Sequence, residues 1–350
     1  WKNNFDELDE LAPSVGLDLD RIDWARRLSA RYLDHREALF NDRADAGLCR
    51  EGHGDLLADD IFCLDDGPRI LDCLAFSTEL RKGDVLADVA FLVMDLERQA
   101  GPRSAQQFLR WYQEFSNEHH PSSLAHHYVA YRAHVRAKVA CFRFAQGDER
   151  SALLARRYHD LTVNHLERAR LRVIVVGGGP GVGKSTLAQN LGAHYGYPVL
   201  ASDEVRKDVT MTGHDEHHFA EPDAGIYDAA SKAATYDELR REAELLLRGG
   251  TGVVLDATWS RDSDRRSIRD LARDTGAELV EVECVLDRAI AKERIARRLA
   301  NPDNPSDATP DLVDHMAASR EHWPEAIAID TGAPVDKIRS SALAAIEDES

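Results

Sequence analysis

The chain has 350 residues, 43% of them apolar, and a formal net charge of −18. That length fits two domains better than one, and the apolar fraction suffices for packed cores. No apolar run nears the ~20 residues a membrane span needs, no basic-apolar signal peptide is visible, and the acidic balance argues against general nucleic-acid binding.

The five cysteines (Cys49, Cys63, Cys73, Cys141 and Cys284) are scattered, and none forms a C-x-x-C pair. This disfavours a disulfide scaffold or a zinc knuckle and predicts a reducing, cytoplasmic setting.

The first chemical motif in chain order is His53-Gly54-Asp55, within Gly52–Ile61. A turn at Asp65-Asp66-Gly67-Pro68 leads to Arg69-Ile70-Leu71-Asp72, which predicts a hairpin with an acid near each edge. From Gly83 onward the pattern is mostly helical, and Tyr128, Tyr131, Val135 and Val139 predict a core-facing stripe. His119-His120 and His126-His127 lack the partner ligands of a metal site.

These residues resemble the catalytic loop of the aminoglycoside phosphotransferase family, H-G-D-x-x-x-x-N followed by an acid on the next strand. The resemblance covers about 20–150 and implies a kinase-like C-lobe. It implies Asp55 as catalytic base, Asp72 as a Mg²⁺ ligand and Asp88 as a brace for the loop. Asp60 stands where that family has a metal-binding Asn, which adds a negative charge, and Leu57 stands where His is frequent. A kinase-like fold also needs an upstream lobe with a glycine-rich loop and a phosphate-pairing Lys. Neither occurs before His53, so either that lobe was lost before Trp1 or this half is a non-catalytic relic. This first domain is expected over 1–160, truncated, with a helical boundary in 150–170 and a second domain over 161–350.

The second domain opens on Val173-Ile174-Val175-Val176-Gly177, then Gly178-Gly179-Pro180-Gly181-Val182-Gly183-Lys184-Ser185-Thr186. From Gly178 the spacing is G-x-x-x-x-G-K-S, a phosphate-binding P-loop after an apolar strand and before an amphipathic helix. Glycines let backbone N–H groups converge on phosphate oxygens, and the helix N-terminus adds its positive dipole end. Lys184 is expected to reach the β- and γ-phosphates of ATP, and Ser185 to ligand Mg²⁺.

Further strands are expected at Tyr197–Ala201, Gly252–Leu255, Glu278–Cys284 and Ala326–Ile329. Helices are expected over about 228–248, up to Gly276, over Asp287–Leu299, over about 310–322 and after 335. Alternation of this kind predicts an α/β fold, with a parallel sheet covered by helices and ligands at the strands' carboxyl ends. Asp203 and Asp256 lie at two such ends. Asp256 suits Mg²⁺ binding, and Asp203 suits activation of an acceptor hydroxyl. Either Asp could instead cap a helix. Arg288, Arg294, Arg297 and Arg298 precede the Asn301–Pro305 loop, and Arg294 and Arg298 are candidates to close over a transferring phosphoryl group. Trp259 either lines the pocket or packs. His214, His217 and His218 read as a polar loop rather than a metal site.

Gly178–Thr186, Ser202–Lys207 and Leu255–Thr258 resemble the small P-loop kinases, such as gluconate kinase, zeta-toxin-like kinases and the kinase domain of polynucleotide kinase, over about 170–335. The order of the two halves resembles bacterial fusions of an aminoglycoside phosphotransferase-like domain with an ATP-binding P-loop kinase. The expected activity is phosphoryl transfer from Mg·ATP to a small hydroxyl-bearing acceptor. The alternatives are a nucleotide-sensing protein with a degenerate N-terminal half, or two active kinase sites in a longer native chain. Neither a membrane nor general nucleic acid is an expected partner, and a homo-oligomer is left open.

Overall fold

The computed structural model describes residues 1–209, 229–299 and 310–348, without the side chains of 207–209, 229 and 298. The chain divides into two compact units, Trp1–Arg170 and Leu171–Ser350.

Unit 1 begins with three helices: α1 (Lys2–Val15), α2 (Leu19–Asp34) and α3 (Glu37–Asp45). Two short antiparallel ribbons follow. One pairs β1 (Cys49–Glu51) with β4 (Lys82–Asp84); the other is a hairpin of β2 (Ile61–Leu64) and β3 (Gly67–Ile70). A single turn, α4 (Thr78–Arg81), precedes β4. Then come α5 (Val85–Ala100), α6 (Pro102–Ser116), α7 (Ser122–Ala145) and α8 (Ser151–Arg168). Asp84 caps α5 by accepting from Leu86 N–H at 2.9 Å. Gly101, at φ +85, separates α5 from Pro102 at the first position of α6.

The unit closes around α7. Its fully buried positions are mainly small (Ala130, Ala133, Ala137, Ala140, Cys141), so helices can approach its backbone closely. The expected stripe of Tyr128, Tyr131, Val135 and Val139 is only half-buried. Size rather than apolarity sets the contact face. Val163 and Leu166 of α8 pack into the core made by α1, α2 and α7. Hence α8 belongs whole to unit 1, which ends at Arg170.

Unit 2 runs β5 (Arg172–Gly177), α9 (Lys184–Tyr195), β6 (Val199–Ala201), α10 (Ser202–Val209), α11 (Ala229–Arg248), β7 (Val253–Asp256), α12 (Asp262–Thr275), β8 (Glu278–Val285), α13 (Arg288–Leu299), α14 (Pro310–Ser319), β9 (Ile327–Asp330) and α15 (Val335–Asp348). The five strands form one parallel sheet in the order β6-β7-β5-β8-β9. This is an α/β architecture, a parallel sheet with helices on both faces.

Period-2 alternation along β5 sorts its side chains. Val173 and Val175 pack with α11 and α12, while Ile174 and Val176 pack with α9 and α15. All four are essentially inaccessible, each worth roughly 1.5–3 kcal/mol of burial. A β-branched run buried on both faces is what a central parallel strand requires. β6 starts at Val199 rather than Tyr197. The Tyr197 ring instead fills the space above Gly252, where a Cβ would lie 2.3 Å from it.

Candidate functional site

Register places the site. Val176 of β5 and Ala201 of β6 both align with Asp256 of β7. The P-loop, Ser202-Asp203 and Asp256 therefore emerge side by side at the carboxyl edge of the sheet. β5 lies between strands reached by opposite crossovers, where open α/β sheets bind ligands.

The loop has its shape because three glycines adopt positive φ: Gly178 at +142°, Gly181 at +77° and Gly183 at +100°. A Cβ at Gly178 would lie 2.8 Å from the Cys284 carbonyl oxygen, and one at Gly181 would lie 2.7 Å from that of Ala291. Gly183 caps α9, so the helix N-terminus points into the loop and favours an anion there. Pro180 and Gly179 form the turn between these glycines, and Val182 is buried beneath it. The Lys184 ammonium donates to the Gly179 carbonyl at 2.9 Å, which keeps the charge over the loop.

Asp256 is buried, and burial raises its carboxyl above the usual carboxylate range. The charge of Lys184 and a hydrogen bond from Ser185 oppose that shift, while Asp203 and Glu204 reinforce it. These five residues thus form one electrostatic unit. Ser185 and Thr186 are exposed in the first turn of α9. The Ser185 hydroxyl and the Asp256 carboxylate offer two adjacent hard oxygens, a donor set that fits a Mg²⁺ shared with phosphate. Among the described residues no group of three or more His, Cys, Asp or Glu side chains could hold a metal by itself.

Asp203 opens the first turn of α10; its side chain is 65% exposed and meets Arg206 at 3.2 Å, so one carboxylate face is open to an incoming group. Arg294 of α13 donates to the Thr331 carbonyl at 2.9 Å, and its Nη1 would lie 3.6 Å from a Cβ at Gly183. Arg297 is exposed and pairs loosely with Glu293. The Arg298 side chain, residues 210–228 with His214, His217 and His218, and the 301–305 loop lie outside the described residues.

Sequence reasoning missed Thr331. Its hydroxyl donates to the Val182 carbonyl at 2.5 Å, with the Val285 carbonyl at 3.1 Å. It therefore ties the end of β9 to the P-loop and also seats Arg294. The available signal was its place one residue beyond a strand's carboxyl end. Arg320 was missed too; it joins Glu283 at 2.8 Å and the Thr258 carbonyl at 3.1 Å, the same oxygen that accepts from Gly178 N–H. Trp259 packs: it is fully buried, at φ +49, with Tyr236 edge-on at 5.0 Å.

In unit 1, Asp88 accepts from the His53 and Gly54 N–H groups, both at 2.7 Å, and so fixes the His53-Gly54-Asp55 loop. Asp55 pairs with Arg136 at 3.2 Å; burial raises its carboxyl, Arg136 opposes this and Asp60 adds to it. Asp60 accepts from Leu57 N–H at 3.1 Å. Asp72 is exposed in a left-handed conformation at φ +62. The structure thus brings Asp55 and Asp60 near each other and does not gather Asp72 with them into a three-acid cluster.

The segment 173–323 matches the family model described as AAA domain. Uncharacterized protein Rv2004c of Mycobacterium tuberculosis is 39% identical over 337 residues, 96% of this chain and 67% of that protein. Uncharacterized protein Mb2027c of Mycobacterium bovis matches equally, 39% over 337 residues, with the same 96% and 67% coverage. Among solved structures, a gluconokinase from Sinorhizobium meliloti aligns at 16% identity and a TM-score of 0.39, covering 51% of this chain and 92% of its own. The Mycobacterium tuberculosis APS kinase aligns at 19% identity and a TM-score of 0.38, covering 51% of this chain and 98% of its own.

Proposed function

This chain belongs to the family of the mycobacterial protein Rv2004c, and on that premise we propose that its unit 2 is an ATP-dependent phosphotransferase acting on a small hydroxyl-bearing acceptor. The observation that carries this reading is the unit made by Lys184, Ser185, Asp256 and Asp203 at one sheet edge. A nucleotide-binding loop needs the first three. Phosphoryl transfer needs, in addition, an open carboxylate beside them.

The loop N–H groups and α9 hold the phosphates, and Lys184 leaves the Gly179 carbonyl to stabilise charge on the transferring group. Ser185 and Asp256 would hold Mg²⁺, which when bound neutralises phosphate oxygens. Asp203 orients the acceptor hydroxyl and takes its proton. Arg294, seated by Thr331, supplies positive charge beside Gly183, and Arg298 is proposed to join it. The direct test is ATP turnover with Mg²⁺ over a panel of sugars, nucleosides and aminoglycosides. Acceptor-stimulated turnover is expected, and Lys184→Ala should abolish it.

For unit 1 we infer a loop of the aminoglycoside phosphotransferase type, with Asp55 as base and Asp60 as the acid beside it; Asp72, which is not gathered with them, is given no metal-binding role. The bracing of His53 and Gly54 by Asp88 supports this reading. Asp55→Asn should leave the turnover of unit 2 intact and abolish any second, acceptor-specific activity. A second activity that survives Asp55→Asn would contradict it.

A further inference from the structure

A cavity of about 320 Å³ opens in unit 1 between the β1–β4 ribbon and helices α5, α6 and α7. Its size is that of a small-molecule site. Four cationic side chains line it: Arg50, Arg81, Lys82 and Arg132. Arg81 is engaged by Glu51 at 2.5 Å and the Leu74 carbonyl at 2.7 Å. Among the described residues no carboxylate stands within ion-pair distance of Arg50, Lys82 or Arg132, while Asp88 and Asp55 act on Arg132 from farther away.

Arg132 is the best placed of the three. Its Nε donates to the Ala87 carbonyl at 2.8 Å, and its guanidinium carbon sits 4.1 Å from the centre of the Phe91 ring. These contacts hold the planar head on one side and leave its two Nη groups for a ligand.

The cavity also has three carboxylates, and each is already satisfied by the protein. Asp84 is held by Arg43 at 2.5 Å, by Tyr128 at 3.1 Å and by Leu86 N–H at 2.9 Å. Glu118 is held by Arg43 at 2.5 Å and His120 at 2.6 Å. Asp88 is committed to the His53 and Gly54 N–H groups. The lining thus sets four cations against three acids whose oxygens are occupied, which leaves Arg50, Lys82 and Arg132 as its donors for a ligand. Leu48, Leu80, Val85 and Val89 add apolar wall.

Gly83 keeps the space open. It pairs in register with Arg50, so the two positions share a face of the ribbon, and a Cβ at Gly83 would meet nothing within 4 Å.

We propose that this cavity binds a small organic oxyanion, a phosphate monoester or carboxylate with an apolar or sugar body, gripped by Arg132 with Arg50 and Lys82. Guanidinium forks recognise such groups through paired charge-assisted hydrogen bonds. An aminoglycoside is a polycation; it meets Arg50, Lys82 and Arg132 here and finds the three acids already occupied, so it is disfavoured. The resemblance in the Asp55 loop would then not extend to the ligand. The proposal stands apart from transfer at the P-loop, and either can fail alone.

The test is calorimetric titration of the full chain with glucose 6-phosphate, citrate and kanamycin, with hydrogen exchange to locate the site. At least one anion should bind and protect amides of β1, β4 and the start of α5, and kanamycin should not. Arg132→Gln should weaken binding about tenfold or more, since a hydrogen bond to a charged group is worth roughly 1.5–3 kcal/mol. Arg132→Lys should retain part of it, and Lys184→Ala all of it. Gly83→Leu, placed in open space, should keep the fold and block the cavity even if Arg132→Gln does not fold. Equal binding of kanamycin, no binding of either anion, or anion binding untouched by Gly83→Leu would overturn the proposal.

Discussion

At the scale of single residues, Asp203 separates a transferase from a nucleotide binder. It is exposed, as is its neighbour Glu204, and it opens the helix at the strand's carboxyl end, whereas Asp256 is buried and committed to Ser185. Asp203→Asn should lower acceptor-dependent kcat by about 10²–10⁴ while nucleotide affinity changes little. Steady-state kinetics with a responsive acceptor check this; an unchanged kcat would remove Asp203 from the chemistry. Thr331 acts through the loop rather than on substrate. Thr331→Val keeps its shape and loses the bond to the Val182 carbonyl, so KM for ATP should rise several-fold more than kcat falls. Thr331→Ser should restore KM. A merely structural role would instead lower kcat and thermal stability with KM unmoved.

At the scale of elements, the P-loop tolerates side chains unequally. Gly181 combines φ +77 with a would-be Cβ 2.7 Å from a backbone oxygen, whereas the nearest atom at Gly179 is 3.9 Å away. Gly181→Ala should destabilise unit 2 by roughly 1–3 kcal/mol, and Gly179→Ala by less than about 0.5 kcal/mol. Thermal melts of the two variants check this, and equal melting points would contradict it. The contrast also marks what was legible in the sequence. Strand β5, the loop and α9 are contiguous, and their spacing alone predicts their geometry. Asp203 and Asp256 follow from one rule, that sites lie at strand carboxyl ends. Thr331 obeys the same rule but sits on the sheet's edge strand, far along the chain, so local pattern does not join it to Val182. Arg320 and Trp323 are further removed. Only folding brings the Trp323 ring over Gly177, where a Cβ would lie 2.3 Å from it. In unit 1 the brace from Asp88 was legible by resemblance. The alanine face of α7 was not, because small residues carry little apolar signal.

At the scale of the whole molecule, the two units bury different titratable groups and should respond differently to pH. Unit 1 buries several histidines on α7 and α8. Burial lowers His126, His127 and His134 to about 3 and His159 to about 4. Charges on His165, Arg168, Lys138, Arg26 and Arg21 add to this, against Asp160 and Asp18 near His159. In the folded unit these rings stay neutral while the unfolded chain takes up protons near pH 6.5. Stability is then complete above about pH 6.5 and is lost as pH falls from there toward about 3. Each such ring contributes a slope of up to about 1.4 kcal/mol per pH unit in that window. Calorimetry of the full chain should show the unit 1 transition falling by several degrees between pH 7.5 and 5.5. A pH-independent transition would mean that these histidines are protonated in the fold.

The measurement that bears most directly on function is Mg²⁺-dependent conversion of ATP to ADP across the acceptor panel, with Lys184→Ala beside the unsubstituted chain. A phosphotransferase requires turnover that rises with one acceptor class and vanishes when Lys184 is removed. Tight ATP binding with flat turnover for every acceptor, or stimulated turnover that survives Lys184→Ala, would contradict that assignment.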